Sequence, residues 1–319
     1  MQPLRKTRIL EWADASVAPS VCRAIALAGR IAADFGASVM HGGEGMAAFY
    51  RSAPAYLAIG KSASAGMAVD TDAVLVGQGA ENAAAVSPAR AVVTVSLKPA
   101  GEEPSPASAF TIMASAGVLD VIGDPERAPL RLPGAQLDLS AGLSAYTALA
   151  GLLVGGGGKA SVSLLDVAIW LNWKNIVMAH VNGTAPSRKG RGAEWQTLRC
   201  KDGWVALVYR EGDWAAVKKL IGDPAMDAPE LEDRGMRRRN AKWIADRAEK
   251  AFSTMTRSDI AAFSRANRIP LGPVQLPQEL FDEPQYRERG FFAETESGPM
   301  PRLPVLWNGA AFQPGGRSA

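Results

Sequence analysis

Residues 7–40 read TRILEWADASVAPSVCRAIALAGRIAADFGASVM, and this stretch decides the fold. Its first part, Thr7–Trp12, is a short apolar run of the kind that forms a buried strand. Val17–Phe35 then places apolar side chains at three- and four-residue steps, which predicts a helix. Gly36 ends that helix, and Ser38–Met40 opens a second strand. A strand, a helix and a strand in this order predict a parallel β-α-β unit.

The same alternation continues through the first half of the chain. Ala160–Leu165 alternates small polar and apolar residues and predicts a strand, and continuous apolar runs predict others at Tyr56–Ile59, Ala73–Val76 and Ala91–Val95. Because these runs do not alternate with polar residues, we expect the strands to be covered on both faces. The sequence therefore predicts an α/β protein with a doubly wound parallel sheet.

The second part of the chain is richer in tryptophan and arginine and has a different pattern. Trp195–Tyr209 reads as a β-hairpin that turns at Lys201-Asp202-Gly203. The tail, Glu294–Ala319, is rich in proline and glycine and predicts an extended excursion rather than a packed unit. Helices are expected at Val167–Val181, Asp213–Ile221, Arg239–Thr254 and Arg257–Ala266. These features predict a second, smaller α+β domain.

Composition excludes several classes of function. The 35 lysines and arginines against 32 acidic residues leave a net charge of +3, too small to indicate a nucleic-acid partner. Two cysteines, Cys22 and Cys200, rule out a disulfide framework and a four-cysteine zinc site. Two histidines, His41 and His180, are too few for a histidine-rich metal site. We expect no metal.

Membrane and targeting signals are weak. Glu11 and Asp14 interrupt the apolar N-terminal run, so it does not resemble a signal peptide, and we expect a cytoplasmic protein. Leu139–Gly158 is 20 residues without a charge, a length that could cross a bilayer. Its hydroxyl-bearing residues and the glycines that end it favour a core helix, Leu139–Val154, over a membrane span. No membrane partner is therefore expected.

Asp138 is the strongest candidate for chemistry. It lies in the segment LDLSAG, residues 137–142, at the start of this uncharged helix. One interpretation is an N-cap whose carboxylate accepts hydrogen bonds from the first free N–H groups. The other is functional, because those N–H groups and the helix dipole keep a carboxylate ionised and oriented. Its small neighbours leave room for a substrate, and such a carboxylate can act as a nucleophile.

Three weaker candidates have structural alternatives. The glycine run Gly155–Gly158 predicts a helix stop, because Lys159 is followed by alanine where a phosphate-binding loop has serine or threonine. The basic cluster at Arg234 and Arg237–Arg239 could bind a phosphate-rich ligand or form a solvated helix start. His41 could be a catalytic base or an exposed loop residue.

An ordered series of short segments resembles one enzyme family. They are RILE (8–11), GRIAADFGASV (29–39), YLAIGK (56–61), ASAG (114–117), IGDP (122–125), DLSAG (138–142), SVSLLD (161–166), KDGWV (201–205) and IPLGPV (269–274). In this order they resemble the class III CoA-transferases, the CaiB/BaiF family. That family includes formyl-CoA and carnitine CoA-transferases and the alpha-methylacyl-CoA racemases. The resemblance extends over about residues 8–307.

The resemblance implies an architecture. It implies a Rossmann-like large domain, residues 1–187, to which the C-terminal tail 291–319 returns, and a small domain, residues 188–290. Because the chain runs from the large to the small domain and back, two chains can thread through each other, and an interlocked homodimer is expected.

The resemblance also implies a reaction: the transfer of CoA from an acyl-CoA to a carboxylic acid. CoA and acyl-CoA are then substrates, and no permanently bound cofactor is expected. The family's catalytic aspartate falls on Asp138, which would form first an acyl anhydride and then an aspartyl-CoA thioester. Contacts with CoA are expected from Val17, Ala18 and Lys61.

Two departures from the family pattern leave alternatives open. The loop after Val76, beginning at Gln78, is shorter than the loop that holds CoA in the family. This suggests a divergent, non-catalytic or partner-dependent member. The second alternative is an acyl-CoA racemase or isomerase. It is weakened because Ser108 and Ala109 stand where the racemases have a histidine, and a two-base mechanism then lacks one base.

Overall fold

The computed structural model describes residues 2–64, 70–80, 89–99, 101, 107–184 and 188–316. The chain divides into two compact units. The large unit comprises Met1–Val121, Leu130–Pro186 and Pro284–Ala319, and the small unit Ile122–Pro129 and Ser187–Glu283. Compared with the expected boundaries, the small unit ends seven residues earlier, at Glu283 instead of residue 290, and gains the separate segment Ile122–Pro129.

A six-stranded parallel sheet forms the centre of the large unit. Its strands lie in the order β3-β2-β1-β4-β5-β6, which is the order of a doubly wound Rossmann-like sheet. The fourth strand is buried along its whole length. This arrangement confirms the predicted α/β fold. The strands are β1 Arg8–Trp12, β2 Ser38–Gly42, β3 Lys61–Ala63, β4 Ala73–Gly77, β5 Ala91–Ser96 and β6 Gly158–Ser163.

Helices connect these strands and also build most of the small unit. In chain order, the helices of the described residues are α1 Pro19–Asp34, α2 Glu44–Tyr50, α3 Ala55–Ala58, α4 Ala109–Ser115, α5 Gln136–Val154, α6 Leu164–Leu171, α7 Trp173–Asn182, α8 Trp214–Ile221, α9 Arg234–Arg239, α10 Ala241–Phe252, α11 Arg257–Asn267 and α12 Pro284–Glu288.

Two expected elements are wrong. The strand expected at Tyr56–Ile59 is the short helix α3, because Pro54 precedes its first turn and the next strand begins only at Lys61. The single helix expected over Val167–Val181 is two helices that meet at Asn172. The Asn172 side chain donates to the carbonyl oxygen of Ala116 instead of facing solvent, which fixes the break.

Helix α5 lies against α1, and one face of it is buried through Leu137, Ala141, Ala145 and Leu149. Its other face is exposed, for example at Leu143. It is the one helix of the described residues that is long and apolar enough to cross a membrane, with a third of its apolar window buried. The burial predicted for this helix therefore applies to only one face of α5. The glycine run after it ends the helix, as predicted, with Gly155 as C-cap.

We expect Gly142→Ala to destabilise the large unit by about 1–3 kcal/mol, because the added methyl overpacks the contact between α1 and α5. A Cβ at Gly142 would lie 2.7 Å from the carbonyl oxygen of Ala24 and 2.8 Å from the Cβ of Leu27. Gly151 on the same helix has open space at its Cβ position. Gly151→Ala is the matched control and should stabilise by about 0.5–1 kcal/mol. Urea unfolding of both variants measures the difference, and equal effects would contradict this packing.

The C-terminal tail is more ordered than its composition predicts. It forms two hairpins, β10 Phe292–Thr295 with β11 Gly298–Pro301, and β12 Leu306–Trp307 with β13 Ala310–Ala311. The ring of Phe312 then lies 4.7 Å from the ring of Phe35, at the end of α1. The expected extended excursion is therefore wrong, because this aromatic contact packs the tail into the core of the large unit.

The small unit contains the predicted hairpin. Strands β7 Gln196–Cys200 and β8 Gly203–Leu207 pair in antiparallel fashion, and β9 Gly272–Pro273 joins β8. Helices α8, α10 and α11 cover this sheet, and Cys200 is buried in the shared core. Its position in this core supports a packing role for Cys200.

Three of the four arginines in the basic cluster form ion pairs within the small unit. Arg234 and Arg238 both bind the carboxylate of Glu194, at 3.0 and 2.8 Å. Arg237 is buried, donates to backbone carbonyl oxygens and pairs with Glu211 at 2.7 Å. These contacts favour a structural role over phosphate binding.

Candidate active site

Asp138 lies in the first turn of α5. The helix begins at Gln136, and its N-cap is Ala135, so the N-cap interpretation of Asp138 is wrong. The helix is three residues longer at its N-terminus than predicted, because it begins at Gln136 instead of Leu139. The carboxylate nevertheless stands where the free N–H groups and the dipole of the helix favour a negative charge.

The two oxygens of this carboxylate have different surroundings. Asp138 is 2% exposed, and its Oδ2 forms an ion pair with Nη1 of Arg23. Its Oδ1 is also buried, but accepts no hydrogen bond from any part of the chain that the structure describes. One oxygen is thus held by a cation, and the other is free to react.

A cavity of about 410 Å³ adjoins this carboxylate within the large unit. Two cations face it, Arg23 and Arg131, and the Arg131 guanidinium lies 5.4 Å from the ring centre of Phe110. Within the described ranges Arg131 forms no ion pair. The residues that line the cavity are Ser20, Arg23, Ala109, Phe110, Met113, Arg131, Leu132, Gly134, Ala135, Gln136, Leu137 and Asp138.

Burial raises the pKa of Asp138 above the ordinary aspartate range. The Arg23 guanidinium opposes this shift most strongly, and the Ser20 hydroxyl and the charge of Arg131 lower the pKa further. A carboxylate with a raised pKa is more basic, and therefore more nucleophilic once it is ionised.

We expect the ¹³Cγ resonance of Asp138 to titrate above the midpoint of exposed aspartates, assigned by comparison with Asp138→Asn. The ionised, reactive form should therefore be lost as the pH falls through that raised value. In Arg23→Gln the midpoint should rise further, because the main influence that lowers the pKa is removed. A midpoint at or below the ordinary aspartate value would contradict the geometry.

Val17 and Ala18 lie at the carboxyl end of β1, where α1 begins. Ala18 is the N-cap of α1, and a Cβ at Gly77 of β4 would lie 2.7 Å from Val17. The strand order reverses between β1 and β4, and ligands of such sheets bind in the crevice at this point. These two residues therefore adjoin the end of α1 that carries Ser20 and Arg23. Their contact with CoA stays a prediction.

Lys61 lies in a buried polar cluster, and its predicted contact with CoA stays a prediction. Its side chain is 1% exposed, and its ammonium group is 2.6 Å from each of Glu11 Oε1, the Ala26 carbonyl oxygen and the Tyr50 hydroxyl. An ammonium group has three N–H donors, and these contacts use all of them. Gly29 makes the room, because a Cβ there would overlap the Glu11 carboxylate. In this geometry Lys61 stabilises the sheet, and contact with CoA would require this cluster to open.

Two other residues considered from the sequence have structural contacts. Ser108 is the N-cap of α4 in a capping box with Thr111, so its hydroxyl is used there. His41 packs against Tyr50 with ring centres 4.2 Å apart and the ring planes tilted by 37°, and burial and the nearby Lys61 lower the pKa of His41. His41 thus packs beside the Lys61 cluster instead of standing in an open loop.

A second cavity, of about 430 Å³, lies between α3 and the C-terminal tail. Glu294 and Glu296 line it, together with uncharged residues. Carboxylates would repel both the phosphates of CoA and a carboxylic acid. The cavity beside Asp138, which is lined by cations, is therefore the better candidate for anionic substrates.

The fold and this carboxylate site define an α/β protein with a candidate aspartate nucleophile. Residues 77–317 match the model of CoA-transferase family III, and the chain belongs to that family.

Relatives with assigned names are CoA-transferases. The chain is 26% identical over 200 residues to a succinyl-CoA:mesaconate CoA-transferase of Haloarcula marismortui, a match that covers 59% of this chain and 50% of that protein. It is 23% identical over 218 residues to a succinate–glutarate CoA-transferase of Agrobacterium fabrum, covering 62% of this chain and 53% of that protein. The chain thus spans about half the length of the curated relatives that it matches.

Solved structures share the fold over nearly the whole chain. A CaiB/BaiF family protein from Brucella suis superposes with a TM-score of 0.81 at 20% identity, covering 100% of this chain and 96% of that one. A hypothetical protein from Mycobacterium tuberculosis gives a TM-score of 0.76 at 19% identity, covering 98% and 94%.

The expected loop between Val76 and the next strand lies partly outside the described residues, since residues 81–88 are not among them. Sequence reasoning missed Arg23 and Arg131. A signal for Arg23 exists in the sequence: it is the first charged residue of α1, and no other charged residue follows until Arg30.

Proposed function

We propose that this chain transfers CoA from an acyl-CoA to a carboxylic acid, with Asp138 as the nucleophile. The observation that carries the proposal is the unpaired, buried Oδ1 of Asp138 beside a cavity lined by cations. Membership of CoA-transferase family III and the names of the relatives support the same reaction.

The proposed reaction proceeds in balanced steps. Asp138 Oδ1 attacks the thioester carbonyl of acyl-CoA and the carbon–sulfur bond breaks. CoA departs as a thiolate, and Asp138 is left joined to the acyl group as a mixed anhydride. The thiolate then attacks Cγ of Asp138, which releases the first acid as a carboxylate and leaves an aspartyl-CoA thioester. The acceptor acid repeats these steps in reverse. Burial of Asp138 supports this sequence because water would hydrolyse both intermediates.

The cavity favours an acid with two carboxylates. Arg23 faces the reacting end, and Arg131, which has no ion pair among the described residues, faces the same cavity. A guanidinium binds a carboxylate through paired hydrogen bonds. The relatives are named for succinate, glutarate and mesaconate, which are dicarboxylic acids. We therefore propose a dicarboxylic acceptor.

Chromatography of acyl-CoA products tests this function. The protein is incubated with succinyl-CoA and either glutarate, mesaconate, acetate or butyrate. The expected result is a new dicarboxylyl-CoA, with little product from the monocarboxylates. Product from monocarboxylates alone would contradict the dicarboxylate proposal, and no CoA transfer to any acid would contradict the function.

We also propose that the chain acts as a homodimer. Helices α6 and α7 carry large exposed apolar side chains that another protein surface would cover. Trp170 is 70% exposed and Val181 72% exposed, and Ile169, Trp173, Ile176 and Val177 are exposed beside them in sequence. A second copy is the proposed occupant because the family resemblance implies an interlocked pair.

Light scattering should give a mass of twice 33.6 kDa for the native protein. Trp170→Glu combined with Val181→Glu should give the monomer mass, because charges would be buried at the interface. Both side chains are mostly exposed in the single chain, so the monomer should still fold. Arg51→Glu is the control and should leave the mass unchanged. A native monomer would contradict the proposal.

A further inference from the structure

Arg23 is placed to bind more than one anion. It lies one turn inside α1, and its guanidinium pairs with Oδ2 of Asp138. Its side chain is 32% exposed and lines the cavity, and its only ion pair within the described residues is this one. The guanidinium is a fork of five N–H donors, so it can bind a second acceptor beside the first.

The charge of Asp138 changes during the proposed reaction, on which this inference rests. In the free protein the carboxylate neutralises Arg23. In the anhydride and the aspartyl-CoA thioester Asp138 is uncharged, and Oδ2 is only a carbonyl oxygen. A guanidinium that is partly removed from water then lacks its anion, which is unfavourable unless another anion replaces it.

The reaction supplies that anion at the same place. When thiolate attacks Cγ in the anhydride, the bond from Cγ to Oδ1 breaks, and Oδ1 leaves as part of the released carboxylate. This carboxylate therefore forms next to Oδ2, the atom that Arg23 already contacts. The acceptor acid must approach the same carbon in the reverse step.

We propose that Arg23 alternates between two partners: the Asp138 carboxylate in the free protein, and the carboxylate of the acid whenever Asp138 carries CoA. Arg23 is then an acid-binding residue as well as the partner of the nucleophile. One carboxylate thus lies against the guanidinium both in the free protein and in the aspartyl-CoA form, so the net charge of the site is the same in these two states.

The second half of the reaction separates these two roles. The aspartyl-CoA form is prepared by mixing the protein with succinyl-CoA and removing small molecules on a desalting column. Its discharge by increasing succinate is then followed as succinyl-CoA formation. Because Asp138 is already esterified, its ionisation no longer affects the measurement.

Arg23→Gln should raise the succinate concentration for half-maximal discharge by about 10- to 100-fold, the range for losing a hydrogen bond to a charged group. Arg23→Lys, which retains the charge and loses the fork, should lie between this variant and the native protein. Arg51→Gln, an exposed arginine outside the cavity, should behave like the native protein.

An unchanged succinate dependence in Arg23→Gln would overturn the inference and leave the proposed function intact. If both Arg23 variants fold but form no aspartyl-CoA, Arg23 serves only Asp138, and the inference is again overturned. If the native protein itself forms no aspartyl-CoA, the proposed function fails, and the inference fails with it.

Discussion

Asp138→Asn should reduce CoA transfer by at least about 10³-fold, because it removes the nucleophile and leaves the rest of the cavity in place. The amide has nearly the volume of the carboxylate, so the packing at the start of α5 is preserved. It carries no charge to attack a thioester, although its oxygen can still accept a hydrogen bond from Arg23. If Asp138→Asn loses turnover while its structure is retained, the lost rate is due to the missing nucleophile.

The measurement combines initial rates with hydroxylamine trapping. In the presence of succinyl-CoA, hydroxylamine should inactivate the native protein by converting the activated Asp138 carbonyl into a hydroxamate. Glu44→Gln, which removes an exposed carboxylate of the large unit, should retain both the rate and the inactivation. Transfer by Asp138→Asn within tenfold of the native rate would show that another group performs the attack.

Lys61→Met should lower the free energy of unfolding by about 3–5 kcal/mol, the range for breaking a buried ion pair by removing one partner. Glu11 is fully buried on β1, and Lys61 supplies its positive partner at 2.6 Å. Tyr50 also donates to Glu11, at 2.6 Å, but it provides no charge. Methionine fills a similar volume, so the lost stability measures the cost of leaving the Glu11 carboxylate buried without a positive partner.

Urea unfolding followed by circular dichroism measures this loss. Lys6→Met, at an exposed position, should change the stability by less than about 0.5 kcal/mol. The double variant Glu11→Leu with Lys61→Met should recover much of the loss, because a well-packed apolar pair can replace a buried ion pair. A small loss in Lys61→Met itself would show that Lys61 is accessible in solution and would favour the predicted contact with CoA.

The parallel sheet could be predicted because its strands are local apolar runs. Ala73–Gly77 and Ala91–Ser96 lie within one or two residues of their predicted limits. The run at Tyr56–Ile59 was misread because four apolar residues fit a strand and a single helical turn equally well. The tail was misread because Phe312 packs against Phe35, a contact that composition does not reveal.

The candidate site was predictable only in part. Asp138 was found because it opens an uncharged helix and falls on a family motif. Arg23, its partner, is 115 residues away in the sequence, and only the packing of α1 against α5 brings the two together. Lys61 was assigned to CoA by resemblance, which stays a prediction; the fold places it beside Glu11, whose burial depends on the missing side chain of Gly29.

Intact-protein mass spectrometry after mixing with succinyl-CoA tests the central claim most directly. The native protein should gain the mass of CoA less one water, located by peptide mapping on Asp138, and Asp138→Asn should show no such gain. CoA transfer without any covalent CoA on the protein, or the same adduct in Asp138→Asn, would contradict it.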